Sequence, residues 1–213
     1  EPGEPFVKAA GLDDPIIEIS VTPNRGDCLG VQGIARDLAA SGLGKLITPN
    51  VIPVSAKFKS PIAVSSSFSD KTKDACPYLV GRVLRGLKNG PSPAWLQRRL
   101  SAIGLRPISK LVDVTNLLTF DRCRPLHAFD ADKVKGDVHV RLADAGETIE
   151  ALDDQTYQLT EDMTVICDDL GPIAIAGVIG GVRTSCTDTT TNVFLESALF
   201  NPTRTAATGR KLN

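Results

Sequence analysis

The sequence predicts an α+β fold, with mixed or antiparallel sheets against packed helices, arranged as a small partial domain at the N-terminus and a larger module after it. Three observations predict it. Residues 1–48 carry one strand pattern followed by one helix pattern, and residues 49–74 shift to Pro, Ser and Lys. Over residues 75–213 helical periodicity comes first and strand alternation afterwards, unlike the regular alternation of a doubly wound sheet.

Taken in order, EPFVKAAGLDDP reads as loop, and Ile16–Val21 alternates as a short strand through Ile17, Ile19 and Val21. TPNRGDC is turn chemistry, and Asp27 stands where the carboxylate of a helix cap should be, before LGVQGIARDLAA. Val31, Ile34 and Leu38 share one face of that helix, and Gly42 closes it in a left-handed turn. So short a strand and helix cannot bury a core alone, so residues 1–48 are expected to be half of a domain completed by sequence elsewhere. Residues 49–74 read as a linker with one or two edge strands, because Pro53 and Pro61 are excluded from central strand positions.

YLVGRVLRGL, from Tyr78, is a strand. Ser92 and Pro93 are expected to cap a helix whose Trp95, Leu96, Leu100 and Ile103 form an apolar stripe ending at Gly104. SKLVDVTNLLTFD is a second helix, with Leu111, Val114, Leu117 and Leu118 on one side. Strands follow in VHVRLA, in TIEALDDQTYQL with a turn at Asp153 and Asp154, in TVICDDLGPIAIAGVIGG and in NVFLESALF. Asn201 and Pro202 are the cap and first residue of a last helix, which stops just after its basic turn without a closing Gly or Pro. With no initiator Met at Glu1, that ending leads to the expectation that the chain is an excised piece of a larger protein.

Composition narrows the function. The 213 residues carry 24 Lys and Arg against 25 Asp and Glu, a formal charge of −1, which argues against a whole chain wrapped on nucleic acid but leaves room for a local basic face. Hydrophobic residues at 42% and charged residues at 23% suit a globular chain with a sizeable core. No apolar run reaches the ~20 residues that cross a bilayer, so no membrane partner is expected, and a cytoplasmic location is expected from the cysteine pattern that follows. Five scattered cysteines without a C-x-x-C pair read as reduced thiols, and no metal site is expected.

Four features can carry chemistry. His127 in RPLHAFD stands between a proline turn and an apolar residue, whereas His139 falls in an alternating strand as a surface imidazole. In AIAGVIGG, Gly177, Gly180 and Gly181 let backbone approach a ligand, although a tight hairpin or bulge explains the same spacing and the pattern fits no dinucleotide or phosphate-loop motif. Glu196 shares a strand face with Phe194 and Ala198, so it is either at an exposed edge or buried against a donor, where it would recognise a ligand or exchange a proton. Between Asp74 and Asp113 there is no acidic residue, while Arg82, Arg85, Lys88, Arg98, Arg99, Arg106 and Lys110 all fall there, as a solvated face or a phosphate-contacting surface.

EISVTPNRGDCLGVQGIARDLAA, GLRPISKLVDVTN, RPLHAFD, AIAGVIGG and NVFLESALFNP, in that order, resemble the beta subunit family of bacterial-type phenylalanyl-tRNA synthetases over nearly the whole chain. The resemblance implies that residues 1–48 are the return half of an N-terminal domain interrupted by an oligonucleotide-binding domain, and that residues 75–213 are an editing module, truncated at its C-terminus, that hydrolyses tyrosine wrongly attached to tRNA(Phe). It places Thr115, Asn116, His127, Ala176, Gly177, Gly180 and Glu196 in the editing pocket, with Arg106 as an outlying member. Arg124 and Leu126 stand where the family usually has Gln and Met, which alters the pocket wall. The family continues past GRKLN with a Thr-Asp-Ala-Ser stretch that supplies further pocket residues.

The implied partners are tRNA(Phe), tyrosine as the editing ligand and the synthetase alpha subunit, in an alpha2beta2 heterotetramer. ATP and Mg2+ are implied for the full ligase and no cofactor for this segment, which shows no ATP-binding motif. In this picture Glu196 accepts the tyrosine hydroxyl beside a glycine amide such as that of Gly180, since a site built for that hydroxyl rejects phenylalanine strongly. Asn116 and His127, the catalytic candidates, serve the ester end, where His127 orients a water or acts as a weak general base. Arg98, Arg99 and Lys110 are the candidate tRNA contacts. The competing readings are a non-catalytic tRNA-binding or scaffold module and a metal-dependent hydrolase.

Overall fold

The computed structural model describes residues 2–13 and 15–212. The chain forms two compact units, residues 1–54 with 90–125 and residues 55–89 with 126–213. These units cut across the three stretches that composition distinguishes.

The first unit is helical. After α1 (Phe6–Ala9) comes a short 3-10 turn at Gly26–Cys28, then α2 (Val31–Ala40), α3 (Ala94–Ala102) and α4 (Lys110–Arg122). The strand expected at Ile16–Val21 does not form, and Ile16, Ile17 and Ile19 lie exposed along a segment without secondary structure. A strand exists only by pairing, and none of the described residues offers this segment a ladder.

Asp27 does not cap α2, whose N-cap is Gly30. Its carboxylate is taken instead by Arg25, 3.0 Å away, and by Arg36. Nor do Val31 and Leu38 make a buried stripe: both are exposed, and the buried residue of α2 is Gly33. A methyl group at Gly33 would strike the Asp27 carbonyl, and one at Gly30 would come within 2.6 Å of the Cys123 amide at the end of α4. These glycines admit backbone where the helix pattern suggested side-chain packing.

α2 and α3 close alike. Gly42, at φ +82°, bonds its N–H to Ala39 while Leu43 bonds to Leu38; Gly104, at φ +83°, bonds to Ser101 while Leu105 bonds to Leu100. That double pattern satisfies the last carbonyls of a helix and needs a left-handed residue, which glycine supplies without strain. On α3 only Leu96 and Leu100 of the expected stripe are buried, with Trp95 and Ile103 about half exposed. Pro93 holds its N-cap position without a side-chain bond, so Ser92 does not cap it.

The second unit carries the sheets. β1 (Val64–Ser67), β4 (Val138–Leu142), β7 (Thr164–Asp168), β8 (Gly171–Ile175) and β9 (Ile179–Gly180) form five strands in the order β1-β4-β7-β8-β9, with β1 parallel to β4 and the other pairs antiparallel. β2 (Tyr78–Leu84), β10 (Val193–Leu199) and β3 (His127–Asp130) form an antiparallel sheet with β10 in the centre, and β5 (Thr148–Glu150) pairs with β6 (Thr156–Gln158). The edge strand expected within residues 49–74 is β1, and Pro53 and Pro61 lie outside it.

β7 is buried at every position, and Val138, Val140, Ile166, Ile173, Phe129 and Phe194 build the main core. α5 (Pro202–Leu212) begins as its sequence predicts: the Asn201 side-chain oxygen accepts the N–H groups of Thr203 and Arg204. All five cysteines are unpaired, and burial pushes the thiols of Cys167 up to about 12 and Cys186 up to about 11.

Candidate functional site

The candidate site grows from the middle of β10. Glu196 is 6% exposed, and its Cα partners are Gly81 on β2 and His127 on β3. One register step along, Phe194 stands between Val83 and Phe129. Because side chains alternate, these two rows occupy one face of the sheet. The lower row is apolar and the upper row holds a carboxylate, an imidazole and a glycine.

Each member fixes its neighbour. The His127 ring meets Phe129 edge to face, with centroids 4.4 Å apart and planes at 73°, and Phe129 lies against Phe194 at 6.2 Å. Phe194 leans over Gly81, where any side chain would strike its ring. Gly180, from β9, faces His127 closely: a methyl group there would stand 2.6 Å from Nε2 and nearer still to Cε1. Leu152, whose N–H bonds the Gly180 carbonyl, brings its side chain to the same spot while staying about half exposed.

His127 keeps a partly exposed edge, but its Nε2 is shut off from solvent and has no hydrogen-bond partner. Burial lowers its pKa to about 4, so the ring is neutral at pH 7. The nearby Cys76 thiol is pushed up to about 11, by burial first and by the charge of Glu196 second.

The other glycine-run residues sit on the β8–β9 hairpin. Ala176 is buried at the turn, and Gly177, at φ +70°, receives Thr205 of α5 at 3.0 Å and Phe200 at 3.3 Å from where a Cβ would be. The hairpin that spacing alone allows is therefore what forms, and it is also what delivers Gly180 to His127.

The remaining candidates lie in the first unit. Thr115 and Asn116 stand in the second turn of α4, where the Thr115 hydroxyl donates to the Val112 carbonyl at 2.7 Å. Arg98 and Arg99 are exposed on α3, Arg99 over the Trp95 ring at 5.8 Å, Arg106 is exposed in the loop after it, and Lys110 opens α4. Among the described residues none of these four is ion-paired.

Sequence reasoning missed several participants. β3 has four residues and no readable period, Gly81 and Leu152 are unmarked in their strings, and Asp113 hides inside an apolar helix pattern although it is fully buried. The signal for Asp113 was a carboxylate between Val112 and Val114. Among the described residues Asp27, Cys28 and Asp37 are grouped closely enough to hold a metal, but the Arg25 guanidinium bonds both carboxylates and the sulfur, and Arg36 joins Asp27. Two guanidinium charges on these donors do not suit a divalent cation. No helix among the described residues is long and apolar enough to cross a membrane.

A family model described as the B3/4 domain matches residues 75–213. The chain is 61% identical over 200 residues to a phenylalanine–tRNA ligase beta subunit of Paramagnetospirillum magneticum, which covers 94% of this chain and 25% of the relative. It is 52% identical over 210 residues to that of Rhodopseudomonas palustris, covering 99% and 26%. It thus spans about a quarter of the length of these curated relatives. An N-terminal fragment of the phenylalanyl-tRNA synthetase beta-subunit from Pyrococcus horikoshii shares the fold at a TM-score of 0.52 and 20% identity, over 85% of this chain and 54% of that one. On the match across residues 75–213, this chain belongs to the B3/4 domain family, and it is similar along nearly its whole length to one segment of phenylalanine–tRNA ligase beta subunits.

Proposed function

We propose that this segment carries an editing site that hydrolyses the ester of tyrosine wrongly attached to tRNA(Phe). The observation that carries the reading is the pairing of Glu196 with His127 on one sheet face, with the unpartnered Nε2 of His127 beside Gly180. A buried imidazole whose Nε2 has no hydrogen-bond partner, beside a carboxylate, is poorly matched to an apolar ring and well matched to a phenol, because phenylalanine would leave that nitrogen unpartnered. Phe129, Phe194 and Leu152 supply apolar surface around them.

An aminoacyl ester is activated, so a held water near a hydrogen-bonded carbonyl suffices for its hydrolysis. With its pKa lowered to about 4, His127 serves as a neutral hydrogen-bonding group for that water or for the ligand, and it is too weak a base to take a proton outright. The family resemblance implies further roles in the reaction for Thr115, Asn116 and Arg106, which belong to the first unit. The reaction in this reading draws on no metal or cofactor. At the level of the whole protein we assign the segment to a cytoplasmic ligase that uses ATP and Mg2+ and pairs with an alpha subunit in an alpha2beta2 assembly.

A second reading, a tRNA-binding or scaffold module without hydrolysis, is favoured by the acid-free stretch between Asp74 and Asp113. One experiment decides between them: deacylation of Tyr-tRNA(Phe) and Phe-tRNA(Phe) by the full-length protein. Faster release of tyrosine supports editing, whereas tRNA binding without release of either amino acid leaves only the scaffold.

A further inference from the structure

We propose that Phe129 is a positioning residue for His127, holding the plane of its imidazole so that Nε2 stays beside Gly180. This rests on the editing reading above and deepens it, by naming what keeps a histidine without hydrogen bonds aligned with its ligand.

A histidine that works on a ligand is ordinarily oriented through its second ring nitrogen, by a carbonyl or a carboxylate. Among the described residues neither nitrogen of His127 has such a partner. Rotation about the Cβ–ring bond has a broad profile for histidine, so a ring without hydrogen bonds is held only by what packs on it.

Phe129 supplies that packing. It follows His127 by two residues on β3 and rises on the same face, with ring centroids 4.4 Å apart and planes at 73°. Its own ring is 0% exposed and lies against Phe194 at 6.2 Å, while its backbone pairs with Phe194 on one side and Ser185 on the other. Phe129 is therefore fixed, and it fixes what touches it. Gly180 adds bare backbone at the same ring, since a methyl group there would stand 2.6 Å from Nε2. Because Phe129 is fully buried it meets no ligand, so any part it has in the reaction passes through His127. An imidazole free to turn out to water would also regain an ordinary pKa, since burial is what lowers it to about 4.

The test uses full-length protein carrying Phe129→Leu, His127→Ala or both, in single-turnover deacylation of Tyr-tRNA(Phe) at increasing protein concentration. Phe129→Leu is expected to lower the saturating rate by roughly 10-fold, with the half-saturating concentration moving by less than about 3-fold. Its rate should also gain a step at about pH 6 that wild-type protein lacks, falling toward acid as the freed imidazole takes a proton. The ionisable neighbours, Glu196 across the ladder and the Cys76 thiol near it, are the same in both proteins. In the double variant Phe129→Leu should add nothing to the loss from His127→Ala, since it acts through that ring. A merely structural role would lower the folded fraction and leave the rate per folded molecule and its pH profile as in wild type, and that outcome overturns the assignment. So does an equal loss of rate with and without His127. If Phe129→Leu does not fold, Phe129→Met, whose flexible chain fills the space without a ring, takes its place. Wild-type rates in these variants would sink the proposal while leaving editing intact, whereas a wild-type protein that releases no tyrosine removes both.

Discussion

His127 and Glu196 are direct cross-strand partners in the β3–β10 ladder, and their side chains rise from the same face of the sheet. In an antiparallel pair this places the Cβ atoms about 5 Å apart. The sequence reading set the two at opposite ends of a pocket, phenol against ester. The register makes them neighbours on one sheet face, and in the editing reading they address neighbouring atoms of one ligand.

The first expectation is that their effects are coupled. In full-length protein Glu196→Ala should lose ~2 to 4 kcal/mol of discrimination for tyrosyl over phenylalanyl ester, since a charged acceptor leaves a desolvated site. His127→Ala should slow hydrolysis, and the double variant should fall short of the sum by about 0.5 to 3 kcal/mol. Deacylation rates for all four proteins give the cycle, and strict additivity would mean the pair does not act as one unit.

Gly180 should resist the smallest change. An added methyl in Gly180→Ala would crowd Nε2 of His127, so the ring must rotate away. The expected loss is ~10- to 100-fold in deacylation with little change in melting temperature. Gly181→Ala differs, because its methyl would come within 2.9 Å of the Ile173 carbonyl. Backbone cannot give way as a ring can, so that variant should be read by thermal unfolding as a loss of stability.

The pH dependence follows from a His127 pKa lowered from 6.5 to about 4 by burial. The unfolded chain binds a proton near pH 6.5 that the folded chain refuses until about pH 4, so stability contributed by this site is complete above pH 6.5 and is lost as pH falls between the two values. That loss amounts to at most about 3 kcal/mol. Deacylation should accordingly show no step at pH 6 to 7 from His127. NMR titration of its Cε1 proton is the direct measurement; a value near 7 would mean that the charge of Glu196 across the ladder outweighs burial.

Arg98, Arg99, Arg106 and Lys110 have no acidic partner among the described residues, and in the editing reading they hold tRNA. Replacing any one with alanine should reduce the slope of log affinity against log salt by about one for each lost phosphate contact. Unchanged slopes in all four would return them to a solvated face.

Where the chain's own local chemistry decides an element, the sequence was a good guide: Gly42 and Gly104 close their helices, and Asn201 with Pro202 opens α5. The failures have different causes. Ile16–Val21 has the alternation of a strand and no ladder among the described residues, and Ser92 is spent on Asp113, 21 residues on, which local pattern does not encode. Asp27 has the chemistry of a cap but is drawn to Arg25 only two residues away, a local competition that the pattern does not rank. Of the candidate site, Glu196 was legible because a carboxylate beside Phe194 in an apolar strand demands an explanation. Its neighbour His127 was legible only as a residue type, since a four-residue strand such as β3 carries too little periodicity to be seen.

β1 lies upstream of residue 75, where the family match starts, yet it is the parallel neighbour of β4 from Val64–Val138 to Ser67–Arg141. A chain begun at residue 75 would therefore strip one margin of the five-stranded sheet, leaving the backbone groups of Val138 and Val140, which face β1, open to strands of other molecules. Self-association on purification, cured by restoring residues 55–74, would be the signature. The divide that evolution draws in sequence and the divide that hydrogen bonding draws in space fall at different places, and solubility obeys the second.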